Sequence, residues 1–201
     1  AGNIMSQGSI AVRLITMMRV ATAPVPGGLA IATILSCAFF AAISGSSTVT
    51  LIAVGSIMYP ALLKAGYSKK FALGSLCAAG TLGIIVPPSI PLILYGVMTQ
   101  TSIADLFKAG IGPAFMLTAI MGIYALVRNL KVERGQFQMS EMITVTKKGV
   151  FALFMPVLIL GGIYSGLFTA TESAAIAVVY ALFVEFLIHR QLKIKQIPKL
   201  L

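Results

Sequence analysis

Two short clusters of residues could do chemistry, and each interrupts a long apolar run. Residues 44–48 read Ser-Gly-Ser-Ser-Thr, so hydroxyl and carbonyl oxygens surround a glycine that permits a sharp turn. Residues 86–91 read Val-Pro-Pro-Ser-Ile-Pro, and proline cannot complete a helical hydrogen bond. Irregular backbone inside a membrane is tolerated only where protein buries it or where it lines a cavity. The two breaks together therefore predict the binding site of a secondary transporter.

The proline cluster frees specific carbonyl oxygens. Pro87 has no N–H to donate to the carbonyl of Gly83, and Pro88 has none for the carbonyl of Ile84. Hard cations prefer oxygen ligands, so Na⁺ is the ion that we expect at these carbonyls. The half-helices that follow the two breaks would present positive dipole ends to an anionic substrate. The candidate substrate contacts at these N-termini are Ser46, Ser47, Thr48 and Ser89.

The composition excludes a soluble globular protein. Hydrophobic residues make up 58% of the 201-residue chain, mean hydropathy is +0.99 and only 10% of residues are charged, against about 25% in soluble domains. The net charge of +10 falls in short basic clusters between apolar runs, without tryptophan, which favours a membrane protein over a nucleic-acid-binding protein. With one histidine, His189, and no phosphate-binding loop, the chain shows no catalytic set and no enzyme is expected. The predicted fold class is an all-α polytopic membrane protein.

Helix lengths predict how the apolar runs cross the membrane. As one helix, residues 28–63 would be about 54 Å long, whereas the hydrocarbon core is about 30 Å thick. A re-entrant hairpin with its tip at residues 44–48 fits the membrane thickness better. Residues 71–104 are also too long for one helix across the membrane, and a discontinuous helix broken at the prolines fits them. The predicted segments are an interfacial connecting helix in 1–26, the transport-domain elements in 27–104, a span (109–128) and amphipathic connector in 105–148, and two further spans (150–167 and 172–188) with a basic cytoplasmic end in 149–201.

The distribution of basic residues supports this topology. With a hairpin at 28–63 and one crossing at 71–104, 14 of the 15 Lys and Arg residues share one side and only Lys108 lies opposite. The positive-inside rule assigns the basic side to the cytoplasm. Positions 13, 66 and 131 are therefore predicted to be cytoplasmic, and position 106 is predicted to be periplasmic.

Four side chains have simpler structural interpretations. Glu172 completes a capping box with Thr169 at the start of the last span, so we expect structural capping there. Asp105 is expected in a loop between spans. Both cysteines, Cys37 and Cys77, lie in apolar runs and are expected to be small buried hydrophobic groups. Proline kinks and a serine–glycine packing turn without any ligand remain the structural alternative for the two breaks.

Segments spread over nearly the whole chain resemble the large membrane subunit of tripartite ATP-independent periplasmic (TRAP) transporters. They are residues 1–5, 26–30, 41–47, 57–60, 85–91, 161–166 and 171–172. Ala170 departs from the pattern, because proline often occupies that position. The resemblance implies an elevator-type transporter with inverted repeats, of which this chain holds one repeat, mostly present, or about half of the subunit.

The resemblance also implies a function. It implies sodium-driven import of an organic acid anion (a C4-dicarboxylate, a sialic acid or a related keto or sugar acid) across the bacterial inner membrane. A periplasmic substrate-binding protein and a small membrane subunit would be the protein partners, with membrane lipid around them and no nucleic acid. In the family a Na⁺ site joins the hairpin tip to the broken helix, which by resemblance implies Ser44, Ser46, Gly83, Val86 and Pro88.

Two other functions remain open from the residues alone. An ion-coupled carboxylate transporter that needs no binding protein would share this architecture, but such proteins often carry a Ser-Asn-Thr hairpin tip, and residues 44–46 are Ser-Gly-Ser. A non-transporting membrane scaffold subunit would not need unwound backbone at membrane depth.

Overall fold

The computed structural model describes residues 9–130, 132 and 139–184, and the regular elements of that part are all helical. The all-α polytopic membrane fold is therefore confirmed. Three apolar helical stretches are long enough to cross a membrane: Ser47–Lys64, Lys69–Thr99 and Ile103–Arg128. In chain order the helices are α1 (Ser9–Thr22), α2 (Gly28–Ser44), α3 (Ser47–Lys64), α4 (Lys69–Gly80), α5 (Leu82–Ile85), α6 (Ile90–Thr99), α7 (Ile103–Arg128), α8 (Met139–Tyr164) and α9 (Ala170–Phe183).

The central helix is α2, which packs against α1, α3, α4, α5, α7 and α8. Its sequence is apolar on all sides, as a helix enclosed by other helices requires. Cys37 and Phe40 are fully buried in it, so the prediction for Cys37 is confirmed. The prediction for Cys77 is wrong, because this thiol lies on the exposed face of α4.

A tight turn joins α2 to α3 within the run predicted as a hairpin. Gly45 has φ of 63°, a left-handed conformation that ends α2, and its N–H donates to the carbonyl of Ala41 at 2.8 Å. Ser46 is extended and precedes the first residue of α3. The two helices pack against each other, so the chain folds back within two residues. The helix–turn–helix is observed at the predicted place.

The predicted discontinuous helix is also observed, as α4, α5 and α6. The helical path stops at Val86, which is extended, and resumes at Ile90; the Pro87–Pro88 peptide bond between them is cis. Before the break, α4 and α5 run from Lys69 to Ile85, and after it α6 has 10 residues, so the two parts are about 25 Å and 15 Å long. Neither part alone is as long as a hydrocarbon core of about 30 Å, so the break lies within the stretch that crosses the membrane.

Contacts along α7 place this break between the ends of a long helix. A β-carbon on Gly110 would lie 3.1 Å from the carbonyl oxygen of Ile85 and 3.6 Å from the ring of Pro87. Gly110 is about 10 Å along the axis of α7, a helix of 26 residues and about 39 Å. The unwound backbone therefore lies within the length of a full span.

Basic residues cluster at one end of the molecule. A β-carbon on Gly27, at the start of α2, would lie 2.9 Å from the β-carbon of Asn129 at the end of α7. The ring of Phe71 near the start of α4 is 6.4 Å from that of Tyr124. The basic residues at or beside these helix ends are Lys64, Lys69, Lys70 and Arg128.

Lys108, which is predicted to lie on the other side of the membrane from the remaining basic residues, is at the opposite end of the molecule. Lys108, in the first turns of α7, lies 3.2 Å from Asp105 and 5.9 Å from the ring centre of Tyr164, the last residue of α8. This separation of Lys108 from the basic end agrees with the predicted topology. The assignment of the basic end to the cytoplasm stays a prediction.

Two segment boundaries differ from the sequence prediction. The span predicted from residue 109 begins at Ile103, because Ser102 accepts a hydrogen bond from the N–H of Asp105 and caps the helix. Asp105 is thus in a helix and not in a loop. The connector after residue 139 is continuous with the next span in α8, since no break separates the polar and apolar turns. Residues 1–8, Lys131, 133–138 and the predicted basic end at 185–201 lie outside the described residues.

Candidate functional site: two helix breaks in contact

The two helix breaks meet at glycine residues. A β-carbon on Gly83 would lie 2.6 Å from the carbonyl carbon of Ser46 and 2.7 Å from the nitrogen of Ser47. A β-carbon on Gly45 would lie 2.8 Å from the carbonyl oxygen of Pro88. Side chains at these positions would push the backbones apart, so glycine permits the approach. Four of the five residues that the resemblance implied for Na⁺, namely Ser44, Ser46, Gly83 and Pro88, lie at or beside this junction.

A main-chain hydrogen bond joins the two breaks. The N–H of Ile90, the first residue of α6, donates to the carbonyl oxygen of Gly45 at 3.2 Å. Since Gly45 ends α2 and Ile90 begins α6, the bond links the hairpin tip to the second half of the broken helix. Val86, the fifth implied residue, lies in the break itself, and its N–H donates to the carbonyl of Leu82 at 2.8 Å.

Hydroxyl groups surround the carbonyl of Ser46. The hydroxyl of Thr50 donates to that carbonyl at 2.8 Å, and the Ser44 hydroxyl lies 3.2 Å from it. The Ser44 and Thr50 hydroxyls are 2.8 Å apart. Thr50 is fully buried, and it was not among the predicted site residues. Its spacing of four residues from Ser46, one turn along a helix that begins at the tip, was the available signal.

One carbonyl freed by proline has a partner within the chain. The buried hydroxyl of Ser89 donates a short hydrogen bond to the carbonyl of Ile84, which Pro88 cannot serve. The Ile84 carbonyl therefore has a hydrogen-bond partner within the protein and does not need an ion as its partner. Ser89 was predicted as a substrate contact; its hydroxyl lies inside the break, and a contact with substrate stays a prediction.

The helices that begin at the breaks are not capped by side chains. Ser68, Ser102 and Thr169 each precede other helices and accept a hydrogen bond from a first-turn N–H at 3.3 Å. Ser46 and Ser89 occupy the equivalent positions before α3 and α6, and neither side chain makes that bond. The N–H groups in the first turns of α3 and α6 therefore stay available to an external acceptor. The first turn of α3 has more of them than that of α6, because Pro91 of α6 has no N–H.

A cavity of about 210 Å³ opens beside the junction. Ser44, Gly45 and Pro88 contribute polar groups to its lining, and Ala174 and Val178 of α9 line it as well. Most of the remaining lining is aliphatic. Ser47 and Thr48, two of the predicted substrate contacts, do not line this cavity, and Thr48 is exposed.

The donor set suits a hard monovalent cation better than a transition metal. The described residues hold no group of three or more His, Cys, Asp or Glu that could bind a metal ion. The atoms that meet at the junction are hydroxyl and main-chain carbonyl oxygens, which are the ligands that hard cations prefer. The residues present therefore fit a sodium ion, with Ser44, Ser46, Gly83, Val86 and Pro88 as the candidates to hold it.

The capping box predicted at the last helix is confirmed. The Thr169 hydroxyl accepts from the N–H of Glu172, and the Glu172 carboxylate accepts from the N–H of Thr169 at 2.8 Å. This arrangement satisfies two backbone donors reciprocally. Glu172 therefore begins α9 and takes no part in the junction between the breaks.

Comparisons with known proteins agree with the architecture. The family model described as "Tripartite ATP-independent periplasmic transporter, DctM component" matches residues 1–201. The C4-dicarboxylate TRAP transporter large permease protein DctM of Pseudomonas aeruginosa is 42% identical, covering 100% of this chain and 48% of the relative. The ectoine TRAP transporter large permease protein TeaC of Halomonas elongata is also 42% identical, over 98% of this chain and 47% of the relative.

A more distant relative carries a third substrate in its name. The 2,3-diketo-L-gulonate TRAP transporter large permease protein YiaN of Escherichia coli is 37% identical, over 96% of this chain and 46% of its own length. The chain spans about half the length of the curated relatives it matches. With a family match over all 201 residues and a helix–turn–helix joined to a broken helix, the chain belongs to the family of TRAP transporter large permease subunits.

Proposed function

We propose that this chain forms part of the permease subunit of a sodium-coupled importer for an organic acid anion. The observation that carries the proposal is the contact between two helix breaks, made by the Gly45–Ile90 hydrogen bond and by the approach of Gly83 to Ser46. Unwound backbone within the length of a membrane span needs a polar partner, and ion or substrate binding supplies one.

The sodium ion would bind at the junction. Ser44 and Ser46 would offer a hydroxyl and a carbonyl from the tip, and Gly83, Val86 and Pro88 would offer main-chain carbonyls from the broken helix. Bound Na⁺ would supply positive charge between two segments that otherwise meet through a single main-chain hydrogen bond. Its binding would thus favour the joined arrangement of the two breaks, which is how an ion can be coupled to the state of a binding site.

The organic anion would bind beside the same junction. The helices α3 and α6 both begin at the junction without a side-chain cap, and their positive dipole ends suit a carboxylate. Ile90, the first residue of α6, lines the cavity of about 210 Å³, so the carboxylate would enter that cavity. Relatives are named for C4-dicarboxylate, ectoine and 2,3-diketo-L-gulonate, so their names do not select one compound. A C4-dicarboxylate, a sialic acid or a related keto or sugar acid remains the proposed class.

The proposal includes location and partners. The protein would lie in the bacterial inner membrane, with its basic end in the cytoplasm. A periplasmic binding protein would deliver the substrate, and a small membrane subunit would assemble with the complete large subunit. Movement of the junction across the membrane as one unit, the elevator mechanism, is part of the same proposal.

Sodium-dependent uptake by the complete transporter tests the proposal. The full-length large subunit, its small subunit and its binding protein would be reconstituted in proteoliposomes, and substrate uptake would be measured against Na⁺ concentration. Ser44→Ala should weaken the Na⁺ dependence without abolishing it, because the main-chain oxygens remain. Pro88→Ala should have the larger effect, because an N–H at position 88 would compete for the Ile84 carbonyl and disturb the break.

Two results would contradict the proposal. Wild-type Na⁺ dependence and rate in both variants would mean that the breaks are structural kinks. Strong uptake of free substrate without the binding protein would favour the carboxylate transporter that works alone.

A further inference from the structure

A polar pocket lies at the basic end of the molecule, far along α7 from the two helix breaks. It has a volume of about 470 Å³ and lies between the turn that joins α3 to α4 and the C-terminal end of α7. The side chains that matter most for its chemistry are Ser68, Lys70, Phe71, Tyr124, Arg128 and Asn129. The proposed transport function uses none of them.

Two cationic side chains, Lys70 and Arg128, line this pocket, and no carboxylate of the described residues lines it with them. Lys70 and Arg128 are exposed, and the ion pair found within the described residues is Lys108–Asp105 at the other end of α7. Water and salt screen the repulsion between these two exposed cations, and an anion in the pocket would be attracted to both of them. An arginine guanidinium and a lysine ammonium together are well suited to a phosphate group.

The walls of the pocket indicate that the anion carries apolar chains. The rings of Tyr67 and Phe71 stack at 5.7 Å, and Phe71 continues the stack to Tyr124 at 6.4 Å. Tyrosine favours the boundary between headgroups and acyl chains. Beside Tyr124, α7 exposes Ile123 and Val127 by 63% and 60%. A free phosphate would make no use of this apolar surface, whereas the acyl chains of a lipid would cover it.

We propose that this pocket binds the phosphate headgroup of an acidic phospholipid, held between Lys70 and Arg128, with its acyl chains along the exposed face of α7. The basic end is the one that the positive-inside rule assigns to the cytoplasmic leaflet, and pockets with basic residues between membrane helices favour anionic headgroups there. The lipid would join the α3–α4 turn to the end of α7, so it would brace the side of the bundle away from the junction.

Matched pairs of charge-removing substitutions test the site. The complete large subunit would be purified and titrated with phosphatidylglycerol or phosphatidylcholine, and bound lipid would be counted by native mass spectrometry. Lys70→Gln with Arg128→Gln removes the two cations of the pocket. Lys64→Gln with Lys69→Gln removes two exposed cations at the same end that do not line it. The first pair should weaken phosphatidylglycerol binding about tenfold, and the control pair by less than twofold.

Further measurements distinguish binding at this pocket from a general attraction to the positively charged surface. They also distinguish a bound lipid from free phosphate. Lys70→Arg keeps the charge and should keep phosphatidylglycerol binding, and binding should weaken as salt is raised. Thermal unfolding in phosphatidylcholine would show that each variant is folded. An equal loss in both variant pairs, or no preference for phosphatidylglycerol over phosphatidylcholine, would overturn the proposal. Inorganic phosphate that binds at the same residues and is not displaced by phosphatidylglycerol would overturn the assignment to lipid.

Discussion

Gly83 and Ser46 approach each other so closely that a β-carbon on Gly83 would lie 2.6 Å from the Ser46 carbonyl carbon. This contact joins a residue before the proline break to a residue at the hairpin tip. Both partners are backbone atoms, so no flexible side chain can move aside. The separation of the two breaks is therefore set by the absence of a single methyl group.

Gly83→Ala should impair transport by forcing the breaks apart. Overpacking of this kind costs about 1–3 kcal/mol, and 1.4 kcal/mol corresponds to about a tenfold change. We therefore expect Na⁺-dependent uptake to fall about tenfold. Gly74→Ala in α4 is the matched control, because a β-carbon there would have no neighbouring atom of the described residues within 4 Å; alanine at this position should be neutral or stabilising. Equal uptake by the two variants would show that the approach has no functional role.

Thr50→Val should raise the Na⁺ concentration that gives half-maximal uptake. Valine keeps the branched shape but removes the hydroxyl that donates to the Ser46 carbonyl at 2.8 Å. The N–H of Thr50 still donates to the same carbonyl, so the change removes one hydrogen bond, which costs about 0.5–1.5 kcal/mol, and the unfolding temperature should fall slightly. Ser56→Ala is the control, since Ser56 is exposed on the same helix and lies away from the tip. An unchanged Na⁺ response in Thr50→Val would remove this threonine from the site.

The sequence was sufficient to locate both breaks. Proline lacks the N–H that a helix interior needs, and the run 28–63 is too long for one crossing, so residues 44–48 and 86–91 were recognised as interruptions. The structure ends α2 at Ser44 and begins α3 at Ser47, within the predicted tip. Local chemistry also predicted the capping box at Glu172, because all its partners lie within three residues.

What the sequence could not give was the pairing of groups across the junction. Hydroxyls can serve as caps, as ligands or as internal donors, and only tertiary packing chooses among these roles. Ser89 was predicted to face the substrate, yet its hydroxyl serves the Ile84 carbonyl. Thr50 was missed because a threonine inside an apolar helix has no distinguishing pattern until Ser46 is placed one turn before it.

Ser89→Ala separates an internal role of this hydroxyl from substrate contact. If Ser89 serves the Ile84 carbonyl, its loss should lower the free energy of unfolding by about 1–3 kcal/mol and change the KM for substrate little. The measurements are thermal unfolding and uptake against substrate concentration. A large rise in KM with unchanged stability would instead place Ser89 among the substrate contacts, as its sequence position first indicated.

Cysteine labelling tests the sidedness of the two ends. In a background with Cys37→Ala and the exposed Cys77→Ala, Ala65→Cys marks the basic end and Thr101→Cys marks the other; Ala65 avoids the positive φ of 83° at Gly66. A membrane-impermeant maleimide should label position 101 in intact cells and position 65 only in inverted vesicles. Labelling of position 65 in intact cells would overturn the topology that places positions 13, 66 and 131 in the cytoplasm.

The cavity between the hairpin tip and α9 provides the sharpest test of where substrate binds. Ala174 lines this cavity of about 210 Å³ together with Ser44 and Gly45. In Ala174→Phe the aromatic ring would occupy much of this volume, so uptake should fall to background while the subunits still assemble. Ala175→Phe is the control, because Ala175 is also exposed on α9 but turns about 100° away from the cavity.

Uptake by the complete transporter and thermal unfolding would be measured for both alanine variants, with Ala174→Val as an intermediate size. We expect a graded loss from valine to phenylalanine at position 174, and more than half of the wild-type rate for Ala175→Phe. Because neither alanine makes a polar contact, bulk alone distinguishes the variants. Wild-type uptake in a well-folded Ala174→Phe protein would exclude the cavity as the route or binding place of the substrate.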